Sequence, residues 1–195
     1  MDMTILLWFN GLAGKSHGID TAVVLFTDYA PVIFGVLFML YFVRRRGDVR
    51  RIRRTVVLSG VAGVLALGVS VAIAAVVYRA RPFAALPLGQ VHLLIAHPPD
   101  SSFPSDHASG AGAFAVGMWR APGRSARWVF LVTALLVGVS RLVAGVHWPT
   151  DILMSWILGG LCAWVVFTLA RPLGPVIDWV LGVYAAVESR LFAQR

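Results

Sequence analysis

Long runs of apolar residues alternate with short polar segments along this chain, and the runs have the length of membrane-crossing helices. No charged side chain interrupts residues 55–78. As a helix this run would rise about 36 Å, against the roughly 30 Å hydrocarbon core of a bilayer. Similar runs, some of them carrying a single charge, occur elsewhere in the sequence. We predict five crossings, at residues 21–43, 55–78, 108–119, 128–146 and 152–170.

The two ends of the chain are also apolar, but neither is expected to cross. Residues 1–14 are too short to span and lack the basic start and cleavage site of a signal peptide. Residues 176–195 carry acidic and basic side chains spaced through an apolar pattern. Both ends are predicted to be amphipathic helices lying in the membrane interface. The expected fold is an all-α integral membrane protein, with one domain over residues 1–195 and a bundle of five transmembrane helices.

Composition and charge support the membrane class. The chain is 58% hydrophobic and 13% charged, with a mean hydropathy of +0.79, which excludes an ordinary soluble domain. The net charge of +8 comes from arginines in the predicted loops. Residues 44–54 (RRRGDVRRIRR) hold seven of them, and the other sets are Arg120, Arg124, Arg127 and Arg171, Arg190, Arg195. Five crossings place all three sets on one face, which the positive-inside rule identifies as cytoplasmic. We therefore expect contact with the bilayer and no nucleic-acid partner.

The chemically reactive side chains fall on the opposite, outer face. Residues 79–107 contain the stretches RARPF and HPPDSSFPSDH, and VHWPTD joins the last two crossings. Arg141 precedes His147 by six residues, so on a continuous helix it lies about 9 Å deeper in the membrane. An arginine at that depth favours an anionic partner or ligand, whereas Arg79 could equally well reach the headgroups. The remaining histidines are given no role: His17, His92 and His97.

The stretch FPSDHASG predicts a helix start that binds anions. Ser105 is a favourable N-cap, and Asp106 and His107 would occupy the first turn of the third crossing. Helix N-termini present unpaired N–H groups and the positive end of the helix dipole. Together with Arg81 and Arg141, this helix start predicts a phosphate pocket sunk below the outer headgroups.

His147 and Asp151 add the elements of nucleophilic catalysis. Pro149 between them starts a new helix, on which the carboxylate can accept a proton from one imidazole nitrogen. The other nitrogen is then free to act as nucleophile or base, and His107 is the natural general acid. A zinc or magnesium site is the alternative, but arginines surround the only close His–Asp pair. We expect neither a metal nor another cofactor.

These motifs resemble a known family. The order RP, PSDH, SRLVAGVHWPTD is similar to the three-part signature of the type 2 phosphatidic acid phosphatase (PAP2) superfamily, whose second and third motifs read PSGH and SRxxxxxHxxxD. The third motif matches at every defined position. The stretch VHLLIAHPPDSSFPSDHASGA and the order of the helices further resemble the bacitracin-resistance type of undecaprenyl pyrophosphate phosphatase, and this resemblance covers essentially the whole chain.

The resemblance implies a role for each matching residue. His147 would attack phosphorus to form a phosphohistidine, Asp151 would orient it, and His107 would protonate the leaving group. The phosphate would be held by residues of all three motifs: Arg81, Ser105, Arg141 and the backbone at Asp106. No metal is implied.

The sequence departs from the family pattern in two places. The first family motif is KxxxxxxRP, and Ala74 stands where that lysine would be. Arg79 could replace its charge, but on a continuous helix Arg79 points about 200° away from Arg81. Both can face the pocket only if the helix ends there, so Arg79 is ranked below Arg81 as a phosphate ligand. The second departure is Asp106, which replaces the glycine of PSGH.

The expected function is hydrolysis of undecaprenyl diphosphate to undecaprenyl phosphate and phosphate, which recycles the lipid carrier of cell-wall synthesis. The enzyme would lie in a bacterial inner membrane, bind a polyprenyl diphosphate lipid, and face outward with its active site. Two alternatives stay open: the same chemistry on phosphatidylglycerol phosphate or phosphatidic acid, and an anion transporter in which no bond breaks. No oligomeric state is predicted.

Overall fold

The computed structural model describes residues 1–172 and 174–192, and the regular structure of these residues is helical throughout. In chain order the helices are α1 (Asp2–Asn10), α2 (His17–Asp28), α3 (Ala30–Val43), α4 (Val49–Ala74), α5 (Pro82–Ala85), α6 (Asp106–Met118), α7 (Arg124–Val143), α8 (Pro149–Leu169) and α9 (Gly174–Phe192). The all-α prediction is confirmed. Arg195, which belongs to the third arginine set, lies outside the described residues.

Three helices of the described chain are long and apolar enough to cross a membrane, and they are α4, α7 and α8. They match the second, fourth and fifth predicted crossings. The pair α2 and α3 forms a fourth span if the two helices are counted together. The remaining predicted crossing is α6, whose 13 residues rise only about 20 Å. The protein is therefore a multi-pass membrane protein, with α6 as a short helix inside the bundle.

The first predicted crossing, residues 21–43, is broken. α2 and α3 meet at an angle of 66°, with Pro31 in the first turn of α3. Proline has no N–H to donate, and its ring clashes with the carbonyl one turn earlier, so a helix cannot run straight through this position. Beyond the break, Phe34 of α3 packs its ring against Phe114 and Phe130 of the bundle.

Small residues bring α6 and α8 into close contact at the centre of the bundle. A Cβ atom on Gly159 of α8 would overlap the backbone carbonyl oxygen of Ser109, and one on Gly112 of α6 would lie 2.8 Å from the backbone of Trp156. Glycine permits this approach because it has no side chain. The contact fixes the start of α6, which carries His107, beside the start of α8, which carries Asp151.

A tight turn after α7 returns the chain toward the bundle. α7 ends at Val143, and Gly145 adopts a φ of 76°, which residues with a Cβ rarely occupy. A side chain there would also collide with the carbonyl oxygen of His92 and the amide of Asn10. Because α7 ends at Val143, His147 lies beside Arg141. On a continuous helix it would lie about one and a half turns further along the axis.

The terminal helices pack on opposite ends of the bundle. At one end, Glu188 of α9 accepts a hydrogen bond of 2.7 Å from Arg53, which is buried against the ring of Tyr184. Trp179 of α9 remains 70% exposed, as a side chain in the membrane interface would be. At the other end α1 contacts α7 and α8, and its Asp2 reaches the first turn of α8.

Candidate active site

A cavity of about 310 Å³ lies between the end of α4, the start of α6 and the end of α7. Five of the residues predicted from the sequence line it: Arg81, Asp106, His107, Arg141 and His147. Three further polar residues of its lining come from the loop between α5 and α6: His97, Asp100 and Ser101. The structure therefore brings together residues from all three motifs.

His147 is held in one tautomer by a backbone carbonyl. Its Nδ1 lies 2.7 Å from the carbonyl oxygen of Ser102, which can only accept, so Nδ1 carries the proton. Nε2 is then the unprotonated nitrogen. It lies 3.2 Å from Nη1 of Arg81 and 3.4 Å from Nη2 of Arg141.

The surroundings of His147 keep its imidazole neutral. Burial lowers the pKa of His147 to about 3, and the guanidinium groups of Arg141 and Arg81 act in the same direction, against the opposing effect of Asp151. A neutral imidazole with a lone pair directed between two cations is equipped to attack an electrophile that carries negative oxygens.

Asp151 interacts with His147 as a charge rather than as a hydrogen-bond acceptor. Its Oδ2 lies 3.8 Å from Nδ1 of His147 and accepts a 3.0 Å hydrogen bond from the backbone N–H of Trp148. Its Oδ1 accepts from Arg79 at 2.5 Å. Nδ1–H of His147 thus donates to the carbonyl oxygen of Ser102 and not to Asp151, which is too far away for a hydrogen bond. This differs from the sequence-based expectation, because the fold places the carbonyl nearer to Nδ1 than the carboxylate.

The two cavity arginines are buried and differ in their partners. Arg81 donates to Asp100 at 2.7 Å and to the carbonyl oxygens of Val146 and Ser101 at 3.0 and 3.1 Å. Arg141 is 3% exposed, and its Nε has no acceptor among the residues that the structure describes. A buried guanidinium with an unused donor is favourable only where an anion can reach it.

The start of α6 combines an N-cap with a contact to α4. Ser105 occupies the N-cap position, but its hydroxyl makes no hydrogen bond within the described residues, and its N–H donates to Ser155 at 2.8 Å. Asp106 accepts a 2.7 Å hydrogen bond from Ser70. The aspartate that replaces the motif glycine thus joins α6 to α4 beside the cavity.

Arg79 lies outside the described lining of the cavity. α4 ends at Ala74, so the segment before Pro82 is free to turn. Arg79 extends toward Asp2 and Asp151, whereas Arg81 extends toward His147. Both arginines could face the pocket only if the helix ended before Arg79. α4 does end there, but the two side chains point to different partners.

Several residues of the site had no assigned role in the sequence. His97 and Asp100 lie in a polar loop without a recognisable spacing, and Ser102 acts through its backbone carbonyl, which no side-chain pattern reveals. Ser70 could have been noticed in the sequence, because it is a polar residue within an apolar run. In the structure it is fully buried. Among the described residues, no group of three or more His, Cys, Asp or Glu side chains could hold a metal ion.

A second, largely apolar cavity of about 290 Å³ adjoins the first. It is lined by side chains of α3, α4 and α6, among them Phe34, Leu67 and Phe114. Asp106 and His107 line both cavities. A polar and an apolar compartment therefore meet at the start of α6.

The fold and the site define a multi-pass helical membrane protein with a buried, arginine-lined histidine. Comparison with known proteins gives the family. The chain belongs to the PAP2 superfamily, whose sequence profile matches residues 55–174, a segment that contains all three motifs.

One relative extends this similarity over nearly the whole chain, and others share part of it. Undecaprenyl-diphosphatase BcrC of Bacillus subtilis (strain 168) is 31% identical over 191 residues, which are 98% of this chain and 95% of the relative. An undecaprenyl-diphosphatase of Sulfolobus acidocaldarius is 34% identical over 60% of this chain and 53% of its own. The crystal structure of Aquifex aeolicus LpxE shares the fold, with a TM-score of 0.69, 21% identity, and coverage of 86% of this chain and 94% of that chain.

Proposed function

We propose that this protein is a membrane phosphatase that hydrolyses undecaprenyl diphosphate to undecaprenyl phosphate and inorganic phosphate. The observation that carries the proposal is Nε2 of His147, which is unprotonated and lies within 3.4 Å of two buried arginines that line the same cavity. The lipid is supported by the similarity to the Bacillus subtilis relative, which spans nearly the full length of both chains.

In the first step, the lone pair of His147 Nε2 attacks the terminal phosphorus of the diphosphate. The bond from this phosphorus to the bridging oxygen breaks, and the oxygen leaves with the bonding electrons. It takes a proton from His107, whose protonated form is favoured by the negative charge of the bound diphosphate. The products are undecaprenyl phosphate and a phosphohistidine. The positive charge that then develops on the imidazole lies 3.8 Å from Asp151, which stabilises it.

In the second step, a water molecule attacks the same phosphorus and gives a proton to His107. The electrons of the phosphorus–nitrogen bond return to Nε2, so inorganic phosphate is released and His147 is again neutral. His107 thus acts first as general acid and then as general base. Neither step calls for a metal.

The charge of the transferring phosphoryl group is balanced by four groups around it. Arg81 and Arg141 approach the nucleophile directly, and Ser105 and the N–H groups at the start of α6 supply neutral donors. Donors fixed by the fold in this way stabilise the transition state without reorganising. Arg141 contributes through its Nη2, which lies 3.4 Å from Nε2 of His147, in a guanidinium that lines the cavity.

The apolar cavity supports a lipid substrate. An isoprenoid chain that emerges from the phosphate pocket past His107 enters a compartment lined by Phe34, Leu67 and Phe114. The diphosphate can then react while the rest of the lipid stays in the bilayer. A water-soluble phosphate ester would leave this compartment unused.

We place the active site on the outer face of a bacterial inner membrane. The seven arginines of residues 44–54 lie at the other end of α4 from the cavity, and the positive-inside rule assigns that end to the cytoplasm. Hydrolysis of phosphatidic acid or phosphatidylglycerol phosphate is less favoured, because the near-full-length similarity is to an undecaprenyl-diphosphatase. Anion transport is less favoured too. An ion pathway does not need a histidine such as His147, which is held in one tautomer with its unprotonated nitrogen in the cavity.

Phosphate release from purified, detergent-solubilised protein tests the proposal. Undecaprenyl diphosphate should be hydrolysed in the presence of EDTA, faster than phosphatidic acid or phosphatidylglycerol phosphate. His147→Ala should abolish release and still give a monodisperse, folded protein. His17→Ala, in an exposed histidine at the start of α2, is the matched control and should retain activity. Unchanged turnover in His147→Ala contradicts the nucleophile, and a faster rate on phosphatidic acid contradicts the substrate.

A further inference from the structure

A polar cluster lies where α1 meets the first turn of α8, next to His147 but outside the described lining of the cavity. The guanidinium of Arg79 lies between two carboxylates: Nη2 donates to Asp2 at 2.6 Å, and Nη1 donates to Asp151 at 2.5 Å. Asp2 also accepts from the backbone N–H of Thr150 at 3.0 Å and from its hydroxyl at 2.7 Å. The first turn of α1 is thereby bound to the first turn of α8.

Arg79 supports His147 from both sides. Its side chain holds Asp151, and its carbonyl oxygen accepts a 2.8 Å hydrogen bond from the N–H of Ser102. The carbonyl oxygen of Ser102 in turn accepts a hydrogen bond from Nδ1 of His147. The guanidinium also lies 5.4 Å from the ring centroid of Trp148, the residue that follows His147.

The net charge of this cluster affects the positive charge that forms on His147 during the reaction. One cation lies between two anions, so the cluster keeps a net negative charge beside His147. Partial burial acts to raise the pKa of Asp2, but hydrogen bonds from Thr150 and Arg79 outweigh it and hold that pKa below its ordinary value. Without Asp2, Arg79 would neutralise Asp151 alone, and less charge would remain to stabilise the imidazolium that forms on attack.

We infer that Asp2 is a positioning residue of this reaction: through Arg79 it fixes Asp151, and it leaves the charge of that carboxylate available to His147. Arg79 accordingly acts on the nucleophile and does not bind the phosphate. The inference rests on the proposed function, and it assigns α1 a part in catalysis beyond membrane association.

The test compares kcat and KM for undecaprenyl diphosphate in charge-removing variants. Asp2→Asn should lower kcat by about 10- to 100-fold, since small misplacements of a reacting group have effects of this size. Its KM should change by less than about twofold, because no phosphate contact is lost. Asp2→Glu should recover most of the rate. Asp20→Asn is the matched control, because Asp20 accepts a 3.0 Å hydrogen bond from the backbone N–H of Gly14 and forms no ion pair or hydrogen bond with the site within the part of the chain that the structure describes.

Arg79→Gln decides how Asp2 acts. If the effect passes through Arg79, Asp2→Asn should cost less than about twofold when it is added to Arg79→Gln. The same full cost in both backgrounds overturns the inference. A raised KM with unchanged kcat in Arg79→Gln also overturns the inference, because Arg79 would then bind phosphate directly. This outcome can be read even if Asp2→Asn does not fold. An active wild type whose Asp2→Asn variant is equally active overturns this inference alone, whereas an inactive wild type contradicts the proposed function.

Discussion

The Nδ1 atom of His147 lies 2.7 Å from the carbonyl oxygen of Ser102, and this contact determines which imidazole nitrogen faces the cavity. A backbone carbonyl cannot titrate, so the tautomer does not change with pH as it could beside a carboxylate alone. Asp151, at 3.8 Å, then stabilises charge without competing for the proton. The carbonyl of Ser102 thus orients the nucleophile, and Asp151 stabilises the positive charge that forms on it.

Burial of a neutral His147 predicts a specific loss of stability in acid. The pKa of His147 is lowered from 6.5 to about 3, so the unfolded chain binds one proton more than the folded chain between these values. The stability that this group contributes is complete above about pH 6.5 and falls as the pH is lowered toward 3, by at most about 1.4 kcal/mol per pH unit. Between pH 7 and pH 4.5, the Tm of the wild type in detergent should therefore decrease more than the Tm of His147→Gln.

All other titrating groups are shared by the two proteins, so the difference between the two decreases isolates His147. Parallel decreases would contradict the neutral, buried state of this side chain.

The two roles of His107 predict that its loss affects the second step more than the first. The leaving group of the diphosphate is itself a phosphate, whose second pKa of about 6 makes it stable without a proton. Hydrolysis of the phosphohistidine still needs a base. His107→Gln should therefore lower turnover by about 10²- to 10⁴-fold and should accumulate labelled phosphoenzyme from substrate that carries a labelled terminal phosphate.

The label should be absent when His147→Ala is combined with His107→Gln. If His107→Gln turns over slowly and traps no label, His107 is required for the first step, and its assignment as the base of the second step is contradicted.

The sequence predicted the helical spans and the grouping of the motifs because both depend on local patterns. Apolar runs located α4, α7 and α8, and the spacing of Pro149 between His147 and Asp151 located the start of α8. The break at Pro31 was less visible, because both α2 and α3 are apolar and only their angle distinguishes them from one span.

The contacts that arrange the site are long-range, and no local pattern contains them. Ser102 and His147 are 45 residues apart, and Asp2 and Thr150 are 148 apart. The direction of the Arg79 side chain depends on where α4 ends. The apolar run continues to residue 78, whereas α4 ends at Ala74. The motif residues could therefore be named from the sequence, but the part of Ser102 and Asp100 and the contacts of Arg79 with Asp2 and Asp151 could not.

Arg141 is predicted to act mainly in the transition state. Its Nε has no protein acceptor within the described residues, and Nη2 approaches the nucleophile at 3.4 Å. Arg141→Gln should lower kcat by about 10²- to 10³-fold, the usual cost of removing a donor to developing negative charge. Arg124→Gln, at the opposite end of α7, removes an exposed charge from the same helix and should retain wild-type kcat. Equal losses in the two variants would indicate an effect on the helix and not on phosphate.

The apolar cavity predicts a substitution that separates binding of the lipid chain from the chemistry. A Cβ on Gly35 of α3 would meet no atom within 4 Å, and Gly35 lines this cavity, so Gly35→Leu should fill part of it without straining the helix. Displacing two buried methylene groups of an isoprenoid costs about 1.6 kcal/mol, which corresponds to roughly a 15-fold rise in KM for undecaprenyl diphosphate. A five-carbon isoprenoid diphosphate is too short to extend far into the cavity, so its kcat/KM should stay unchanged. Gly68→Leu on α4 is the control, because Gly68 is equally open but lies outside the described lining of this cavity. If Gly35→Leu slows both substrates alike, the cavity affects the position of His107 and is not the path of the lipid chain.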